Sequence, residues 1–483
     1  MNVLAKADLA LTSANLGELK ASVRRFAYDR AAVDVGIVHI GPGAFHRAHQ
    51  ASFVDDLLAR DPRWGICGIS LQTPGLRDAL KPQDFLYTLA VLAERPEFRI
   101  IGALKEVIVA PEAPEKALAR LADPRTQVVT ITVTEKGYCL DGRGALDAKQ
   151  ADIAHDWSNR GQPKSVIGVL TEALRRRRAE RAAPFTVISC DNLTDNGMLL
   201  RNAVLRFARE ADRDLSAWIE GEVRFPRTMV DSITPATDDA LRARVAEATG
   251  LVDRWPVQRE AFAQWVIEDS PGLGPDWRSV GVTISNNVSG YERAKLRLLN
   301  GAHSSLAYLG LLKGYETVAE AMGDAALAAW LRAVMIEDIA PTARAPKELD
   351  VAAYIEEILR RFRNGAVRHL LSQIAWDGSQ KLPIRLLKTI GECLITARPI
   401  ARLSMPIAAW LHFVRKTTAA GQKLVDPLHD ALADAARAGM GKGDREAVGE
   451  FLKIGAVFPA TLTGNANFVS ALETAYQSLK QQR

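Results

Sequence analysis

The first half of the chain alternates short apolar runs with amphipathic stretches. Apolar runs that predict buried strands lie at residues 35–40, 64–71, 127–133 and 185–189. Stretches with helical periodicity lie between them, at residues 45–58, 115–121 and 166–180. This alternation predicts an α/β fold, in which a mainly parallel sheet carries helices on both faces in a Rossmann-like, doubly wound domain.

The strand signals fade after about residue 290, and helical periodicity takes over. Apolar positions at helical spacing run through residues 318–336, 351–363, 384–397 and 406–414. We therefore predict an N-terminal Rossmann-like domain of residues 1–288, followed by a mainly α-helical C-terminal domain of residues 289–483. At this boundary the sequence shows no long flexible linker.

Composition excludes several classes of protein. The chain has 483 residues, 48% of them hydrophobic and 25% charged, which is typical of a globular protein long enough to form a cleft. The net charge of +5 arises partly from five arginines within residues 175–181, a run that is more typical of a solvated helix face than of a nucleic-acid or anion site. No uninterrupted apolar segment is long enough to span a membrane. We expect a cytoplasmic protein that binds neither nucleic acid nor membrane.

Neither a disulfide nor a metal site is expected. His46 and His49 lie three residues apart, without a carboxylate or cysteine at metal-ligand spacing, so we predict no metal. The four cysteines form no CxxC pair and sit in or beside apolar segments. We expect buried, reduced thiols at Cys67, Cys139, Cys190 and Cys393.

A glycine-rich turn follows the first predicted strand and opens a helix. Glycines let a backbone approach a pyrophosphate, and a helix N-terminus offers amide donors, although a purely structural turn has the same pattern. The third glycine of the usual motif is missing, and no acid follows the strand at residues 64–71, so the choice between NAD and NADP stays open. We predict that this turn binds a dinucleotide, and that Arg47 adds a further phosphate contact. The predicted cofactor residues are Gly41, Gly43, Ala44, Phe45, His46 and Arg47.

The segment at residues 292–303 gathers proton-holding groups into one apolar, helix-forming run. At about 100° per residue, Glu292, Lys295, Leu299 and His303 share one helix face, and Asn300 flanks it. Burial of a lysine disfavours its ammonium form and lowers its pKa, which suits it to proton transfer. The alternative is an amphipathic helix whose lysine extends to solvent and whose histidine packs in the core.

Ordered motifs connect these pieces to a known family. They lie at residues 41–50, 132–139, 189–192, 225–231, 295–303 and 377–383. Over nearly its whole length the chain resembles the polyol-specific long-chain dehydrogenase/reductase family. The resemblance implies a metal-independent, NAD(P)-dependent interconversion of a secondary alcohol and its ketone.

The resemblance also implies roles for individual residues. Lys295 falls on the general acid/base, Asn192 and Asn300 on the asparagines that hold the substrate oxygen, and Glu292 on the neighbouring glutamate, which could relay the proton to water. A developing alkoxide needs such preorganised donors when no metal is present. The remaining assignments are a cofactor residue, Glu135, and substrate residues, namely His303, Asp231, Lys381 and Gln373.

Each of these residues also has a structural interpretation. Asn192 beside Asp191 could be turn chemistry at a strand end. Asp231 could cap the next element, Glu135 could be a buried partner of Lys136, and Lys381 could be a surface lysine. Glu292 could pair with a neighbouring cation on the helix surface.

The substrate is predicted from the amino-acid sequences of the motifs. Gln373 falls where mannitol enzymes of the family tend to carry arginine, and the motifs resemble those of uronate enzymes, so we favour reduction of D-fructuronate with NADH to D-mannonate. The alternatives are tagaturonate reduction, oxidation of mannitol, arabinitol or sorbitol, and a NAD-binding regulatory protein without activity. Ser232 and Ala302 depart from the family pattern, and the sequence does not show which arginine would bind a substrate carboxylate. We expect a monomer.

Overall fold

The computed structural model describes residues 9–481. The chain divides into two compact units, Met1–Val288 (unit 1) and Ser289–Arg483 (unit 2). Eleven strands occur in the described residues, all of them in unit 1. The strands are β1 Val35–Ile40, β2 Gly65–Ser70, β3 Tyr87–Leu92, β4 Glu97–Ile101, β5 Leu104–Val109, β6 Val128–Ile131, β7 Thr186–Ser189, β8 Thr228–Asp231, β9 Val257–Glu260, β10 Gln264–Glu268 and β11 Thr283–Ser285.

The largest sheet has five strands in the order β5-β2-β1-β6-β7, and all its pairings are parallel. Its strands are apolar on both faces because helices cover both sides: Val38 and Ile40 pack into one buried cluster, whereas Ile37 between them packs into the other. The predicted doubly wound α/β domain is therefore confirmed, and each of the four predicted strands lies within its predicted run.

Two small sheets accompany the parallel one. They have the orders β11-β10-β8 and β4-β3-β9, and each contains one antiparallel and one parallel pairing. The sequence pattern did not predict the six strands of these two sheets or β5 of the main sheet, which makes seven further strands. Several of them, such as Glu97–Ile101, carry charged residues that break the apolar runs.

The helices of unit 1 alternate with the strands of the main sheet. The predicted helix at residues 45–58 is two helices, because the backbone breaks at His49 (φ −111°, ψ −85°). The helices are α1 Ala44–Ala48, α2 Gln50–Leu57, α3 Gly75–Leu80, α4 Pro114–Ala122, α5 Thr134–Gly137, α6 Ala151–Ser158, α7 Val166–Ala179, α8 Asn196–Ala211, α9 Arg213–Glu222 and α10 Asp239–Thr249.

Unit 2 is mainly helical, as predicted. Three π-helical segments interrupt its α-helices, at Lys295–Asn300, Val334–Ile339 and Pro383–Leu387. The remaining α-helices of the chain are α11 Val288–Ala294, α12 Gly301–Leu312, α13 Val318–Gly323, α14 Ala325–Ala333, α15 Ala340–Ala343, α16 Val351–Phe362, α17 Leu371–Ile374, α18 Gly378–Leu382, α19 Lys388–Ile395, α20 Ala401–Ala419, α21 His429–Ala438, α22 Asp444–Leu452, α23 Ala460–Thr463 and α24 Ala466–Gln481.

Side-chain caps explain why the predicted helix at residues 318–336 is divided. A capping box of Thr317 and Glu320 starts α13. Asp324 then accepts hydrogen bonds from the backbone N–H groups of Ala326 and Leu327, which starts a new helix seven residues later. The apolar period continues through the break, so periodicity alone does not locate it.

Candidate functional site

The carboxyl ends of the parallel strands form the candidate dinucleotide site in unit 1. β1 is flanked by β2 on one side and by β6 on the other, so the connections that leave β1 and β6 diverge. Ligands of open α/β sheets bind at such a switch point. The loops at residues 41–43, 132–135 and 191–192 follow β1, β6 and β7 here.

The two glycines of the turn after β1 have different structural roles. Gly41 has φ +86°, and a Cβ on it would lie 2.2 Å from the carbonyl oxygen of Thr132. Gly43 is exposed, precedes α1, and would place a Cβ no closer than 3.8 Å to any atom outside its neighbours. Gly41 therefore lets the turn pack against the end of β6, whereas Gly43 leaves an open backbone that fits the approach of a pyrophosphate.

Arg47 does not fit the predicted phosphate contact. Its side chain is 1% exposed, and its Nη1 donates to the carbonyl of Trp255 at 2.6 Å. The guanidinium lies over the rings of Tyr87 and Trp255, and burial lowers the pKa of Arg47 to about 10. The structure corrects the prediction: this cation lies in the core of unit 1, because aromatic rings and a carbonyl take up its charge.

The aromatic side chains of the turn are also largely engaged. His46 is 1% exposed and stacks on His39 with ring centroids 3.3 Å apart, and burial holds the pKa of His46 well below its usual value. Phe45 is partly exposed and stacks on His49. At Ala44, Phe45 and His46, the groups available to contact a dinucleotide are therefore the backbone and the exposed edge of Phe45 more than the buried imidazole of His46.

Asp191 ties the ends of β6 and β7 together. Its carboxylate accepts hydrogen bonds from the backbone N–H groups of Val133 (3.0 Å) and Thr134 (2.9 Å) and from the hydroxyl of Tyr138 (2.8 Å). Burial raises the pKa of Asp191, against the lowering effect of these donors. The turn chemistry therefore belongs to Asp191, and this clasp fixes the backbone that presents the exposed residue Asn192.

Two further predicted residues of unit 1 lie at strand ends. Glu135 is exposed on α5, so it is not a buried partner of Lys136 and stays a cofactor prediction. Asp231 is the buried last residue of β8, and the cap of the following helix is Asp238, so Asp231 does not cap that helix. The hydroxyl of Ser232 donates to the carbonyl of Phe262 at 2.9 Å.

In unit 2 the predicted catalytic run is helical but not a regular α-helix. The backbone N–H of Gly301 donates to the carbonyl of Leu296, five residues back, within the π-helical segment Lys295–Asn300. A π turn advances by less than 100° per residue, so the angles between Glu292, Lys295, Leu299 and His303 differ from those of a regular α-helix, and their common face stays a prediction. The same turn places Lys295 and Asn300, five residues apart, about one turn from each other.

A buried ion pair anchors this π turn. Arg297 is 5% exposed, and its two Nη atoms donate to the carboxylate of Glu392 at 2.8 and 2.5 Å. Its Nη1 also donates to the carbonyl of Thr342. Arg297 lies between Lys295 and Asn300 in sequence, so this bidentate pair fixes the segment that carries both.

His303 lies in the interior of unit 2. It is 7% exposed, stacks on Phe362 at 4.3 Å and meets His369 edge-on at 5.0 Å. Burial, and then the positive charge of nearby groups, holds the pKa of His303 well below its usual value, so the imidazole is neutral at ordinary pH. Its Nε2 is buried without a hydrogen-bond partner, which leaves it able to bind a ligand hydroxyl.

Two cations lie on α18 and the π-helical segment after it, and one of them, Arg385, lies near this histidine. The Nζ of Lys381 donates to the carbonyl of Ile374 at 3.4 Å, and burial lowers the pKa of this partly buried lysine, so it is not a plain surface lysine. Arg385 donates from Nη1 to the Ser304 hydroxyl at 3.1 Å, and burial lowers its pKa to about 10. Arg385 is not among the predicted site residues, although it follows Lys381 by four residues, the spacing of one helical face. Gln373 is exposed on α17.

Features outside these clusters are structural. Arg175 and Arg176 pair with Glu172, and buried Arg177 donates to the carbonyl of Leu121, so the arginine run forms no anion patch. All four cysteines are buried and free, as predicted. Within residues 9–481 no three acidic, histidine or cysteine side chains are grouped as metal ligands would be. None of the helices in this range has the length and apolarity needed to cross a bilayer.

Two family models together match most of the chain. The mannitol dehydrogenase Rossmann domain matches residues 35–278. The mannitol dehydrogenase C-terminal domain matches residues 287–480.

Similar proteins match the chain end to end. D-mannonate oxidoreductase of Escherichia coli (strain K12) is 42% identical over 469 residues, which are 95% of this chain and 96% of that protein. The solved ternary complex of Pseudomonas fluorescens mannitol 2-dehydrogenase with NAD and D-mannitol is 35% identical, covers 98% of this chain and 97% of its own, and has a TM-score of 0.82. A substrate-free D-sorbitol dehydrogenase is 32% identical, covers 98% of each chain, and has a TM-score of 0.90.

Proposed function

Because the chain belongs to the mannitol dehydrogenase family, whose members oxidise secondary alcohols, we propose that it is a metal-independent enzyme that uses NADH to reduce D-fructuronate to D-mannonate. Three observations support the uronate over a plain polyol. The D-mannonate oxidoreductase relative is 42% identical, against 35% for the mannitol 2-dehydrogenase of known structure. Gln373 replaces the arginine typical of mannitol enzymes, and unit 2 carries cations beside His303.

The main support for the proposed reaction is the π turn, which brings Lys295 and Asn300 within one helical turn of each other. When bound, NADH would supply the hydride that the carbonyl carbon of the substrate accepts. Lys295, as an ammonium, then donates a proton to the carbonyl oxygen, and in the reverse direction neutral Lys295 takes the hydroxyl proton. Asn300 donates an amide N–H group that stabilises the negative charge on this oxygen, and the family resemblance assigns the same role to Asn192.

The other predicted residues take supporting roles. Glu292, one turn before Lys295, relays protons between the lysine and water. The neutral imidazole of His303 binds a substrate hydroxyl through Nε2, and Asp231 and Lys381 hold further polar groups of the sugar. Gly43 admits the pyrophosphate of the cofactor at the turn that Gly41 lets pack against β6, and Glu135 offers the cofactor an exposed carboxylate on α5, the helix after β6.

The substrate is tested by following NADH absorbance with D-fructuronate, D-tagaturonate, D-fructose and D-xylulose. We expect consumption to be fastest with D-fructuronate. Turnover of D-fructose far above D-fructuronate would refute the choice of substrate. Absence of turnover with all four would refute this assignment of the reaction and favour a NAD-binding regulatory protein.

The role of Lys295 is tested by Lys295→Ala, with Lys388→Ala, an exposed lysine of the same unit, as the matched control. A positioned acid/base contributes about 10²–10⁴-fold to the rate, so turnover should fall by that factor in Lys295→Ala. The Kd for NADH, measured by fluorescence titration, should change by less than about threefold. Loss of NADH binding in Lys295→Ala alone would show that the lysine is structural.

A further inference from the structure

Two cations of unit 2 lack acidic partners. Neither Arg385 nor Lys381 forms an ion pair with any carboxylate among residues 9–481. The acids nearest to Lys381 are Asp377 and Asp426, and the Asp426 carboxylate accepts hydrogen bonds from the backbone N–H and the hydroxyl of Ser379 and from the backbone N–H of Leu428. Neither Lys381 nor Arg385 is therefore neutralised by a direct ion pair, although Asp377 and Asp426 act on Lys381 from a distance.

Arg385 is the less satisfied of the two. Among residues 9–481, its one hydrogen-bond partner is the Ser304 hydroxyl, to which Nη1 donates, and its Nε is buried without a partner in this range. A guanidinium has five N–H donors in a planar fork, and burying a charge without a partner costs free energy that a bound anion would offset. Arg47 and Arg177, the fully buried arginines of unit 1, donate to backbone carbonyls instead.

The position of Arg385 connects it to the catalytic turn. It lies on the π-helical segment Pro383–Leu387, and its backbone oxygen would be 3.3 Å from a Cβ on Gly301, the residue after Asn300. Its partner Ser304 follows His303 on α12. The guanidinium is thus held within unit 2 beside the residues assigned to the substrate.

We propose that Arg385 binds the substrate carboxylate, with Ser304 orienting the guanidinium and Lys381 adding a second positive charge. This inference rests on the proposed function, because only a sugar acid offers the anion. The fork of a guanidinium matches the two oxygens of a carboxylate, which a single ammonium does not. The uncharged residue Gln373, by contrast, offers no charge for the anion.

The test compares two ligands that differ only in charge, D-mannonate and D-mannonamide. Each is titrated calorimetrically into the protein with NADH bound, so that no turnover occurs. The variants are Arg385→Gln, Arg385→Lys and, as a matched control on an exposed arginine of the same unit, Arg363→Gln. NADH binding by each variant reports that it is folded.

A charge-assisted, bidentate hydrogen-bond pair predicts that Arg385→Gln raises the Kd for D-mannonate roughly 10- to 100-fold and leaves that for D-mannonamide within about threefold. Arg385→Lys should weaken D-mannonate binding to an intermediate degree, and Arg363→Gln should change neither Kd. Equal effects on both ligands, or no effect on either, would overturn the role of Arg385. Selective loss of D-mannonate binding, in a protein that does not reduce D-fructuronate, would keep the carboxylate site and refute the proposed function.

Discussion

The two glycines of the cofactor turn should respond in opposite ways to alanine. In Gly41→Ala the new Cβ would lie 2.2 Å from the oxygen and 2.9 Å from the carbonyl carbon of Thr132, and both are backbone atoms of a sheet-forming segment. The left-handed backbone at φ +86° costs an L-residue about 1–2 kcal/mol, and forcing in a methyl group costs about 1–3 kcal/mol. Together these destabilise unit 1 by about 2–5 kcal/mol.

Gly43→Ala is the matched control at the same turn. Gly43 has φ −72°, and its new Cβ would meet nothing closer than 3.8 Å, so the loss should not exceed about 1 kcal/mol. The added methyl group would instead stand on the exposed backbone where we place the pyrophosphate. Gly43→Ala should therefore weaken NADH binding more than it lowers stability.

Thermal unfolding and NADH titration of both variants measure the two effects. At about 2 °C per kcal/mol, a value suited to large domains, Gly41→Ala should lower Tm by about 4 °C or more and Gly43→Ala by about 2 °C or less. A Gly43→Ala protein as destabilised as Gly41→Ala, or one that binds NADH as tightly as the parent, would refute the division of labour between the glycines.

Three further predictions concern the groups that hold the site. Asp191→Asn, which leaves one acceptor oxygen for three donors, should destabilise the protein by about 1–3 kcal/mol and raise the KM for NADH; an unchanged KM would remove its positioning role. Glu392→Gln should destabilise by about 1–3 kcal/mol at pH 7, below the usual cost of breaking a buried pair because Glu392 is partly exposed. Arg297 holds the pKa of Glu392 below its usual value, so this stabilisation is complete above about pH 4.3 and is lost as pH falls further; urea midpoints of parent and variant should therefore converge towards pH 3. Because burial keeps His303 neutral, the pH profiles of kcat/KM for the parent and His303→Gln should run parallel between pH 6 and 8, and a change of shape in the variant would contradict this.

The sequence predicts the parts of the fold that depend on uninterrupted apolar patterns. β1 lies at residues 35–40 as predicted, and the doubly wound sheet follows from its alternation with helices. The seven further strands, such as Glu97–Ile101, are stabilised by pairing and by neighbouring clusters that no local window contains. The break at His49 likewise leaves no glycine or proline in the sequence to mark it.

The candidate site was predicted in outline but not in geometry. The resemblance assigns roles to Lys295, Asn300 and His303, whereas the angles between these side chains depend on a π turn that the sequence does not reveal. Arg47 and Arg385 show the converse limit. Both arginines lie next to a motif, and the sequence does not show their partners. In the structure a carbonyl and aromatic rings contact Arg47, whereas no acid among residues 9–481 pairs with Arg385.

The π turn also makes the residue count of this helix a functional quantity. A turn closed by i→i+5 bonds holds one more residue than an α-turn, and each residue advances a helix by about 100°. Losing a single residue between Lys295 and Asn300 would let the ladder close as an ordinary α-helix, and the tighter turn would offset the rotation lost with that residue. Everything after the turn, His303 included, would therefore keep its side. The extra residue acts within the turn alone, where it sets the spacing of Lys295 and Asn300, the two groups predicted to act on the substrate oxygen.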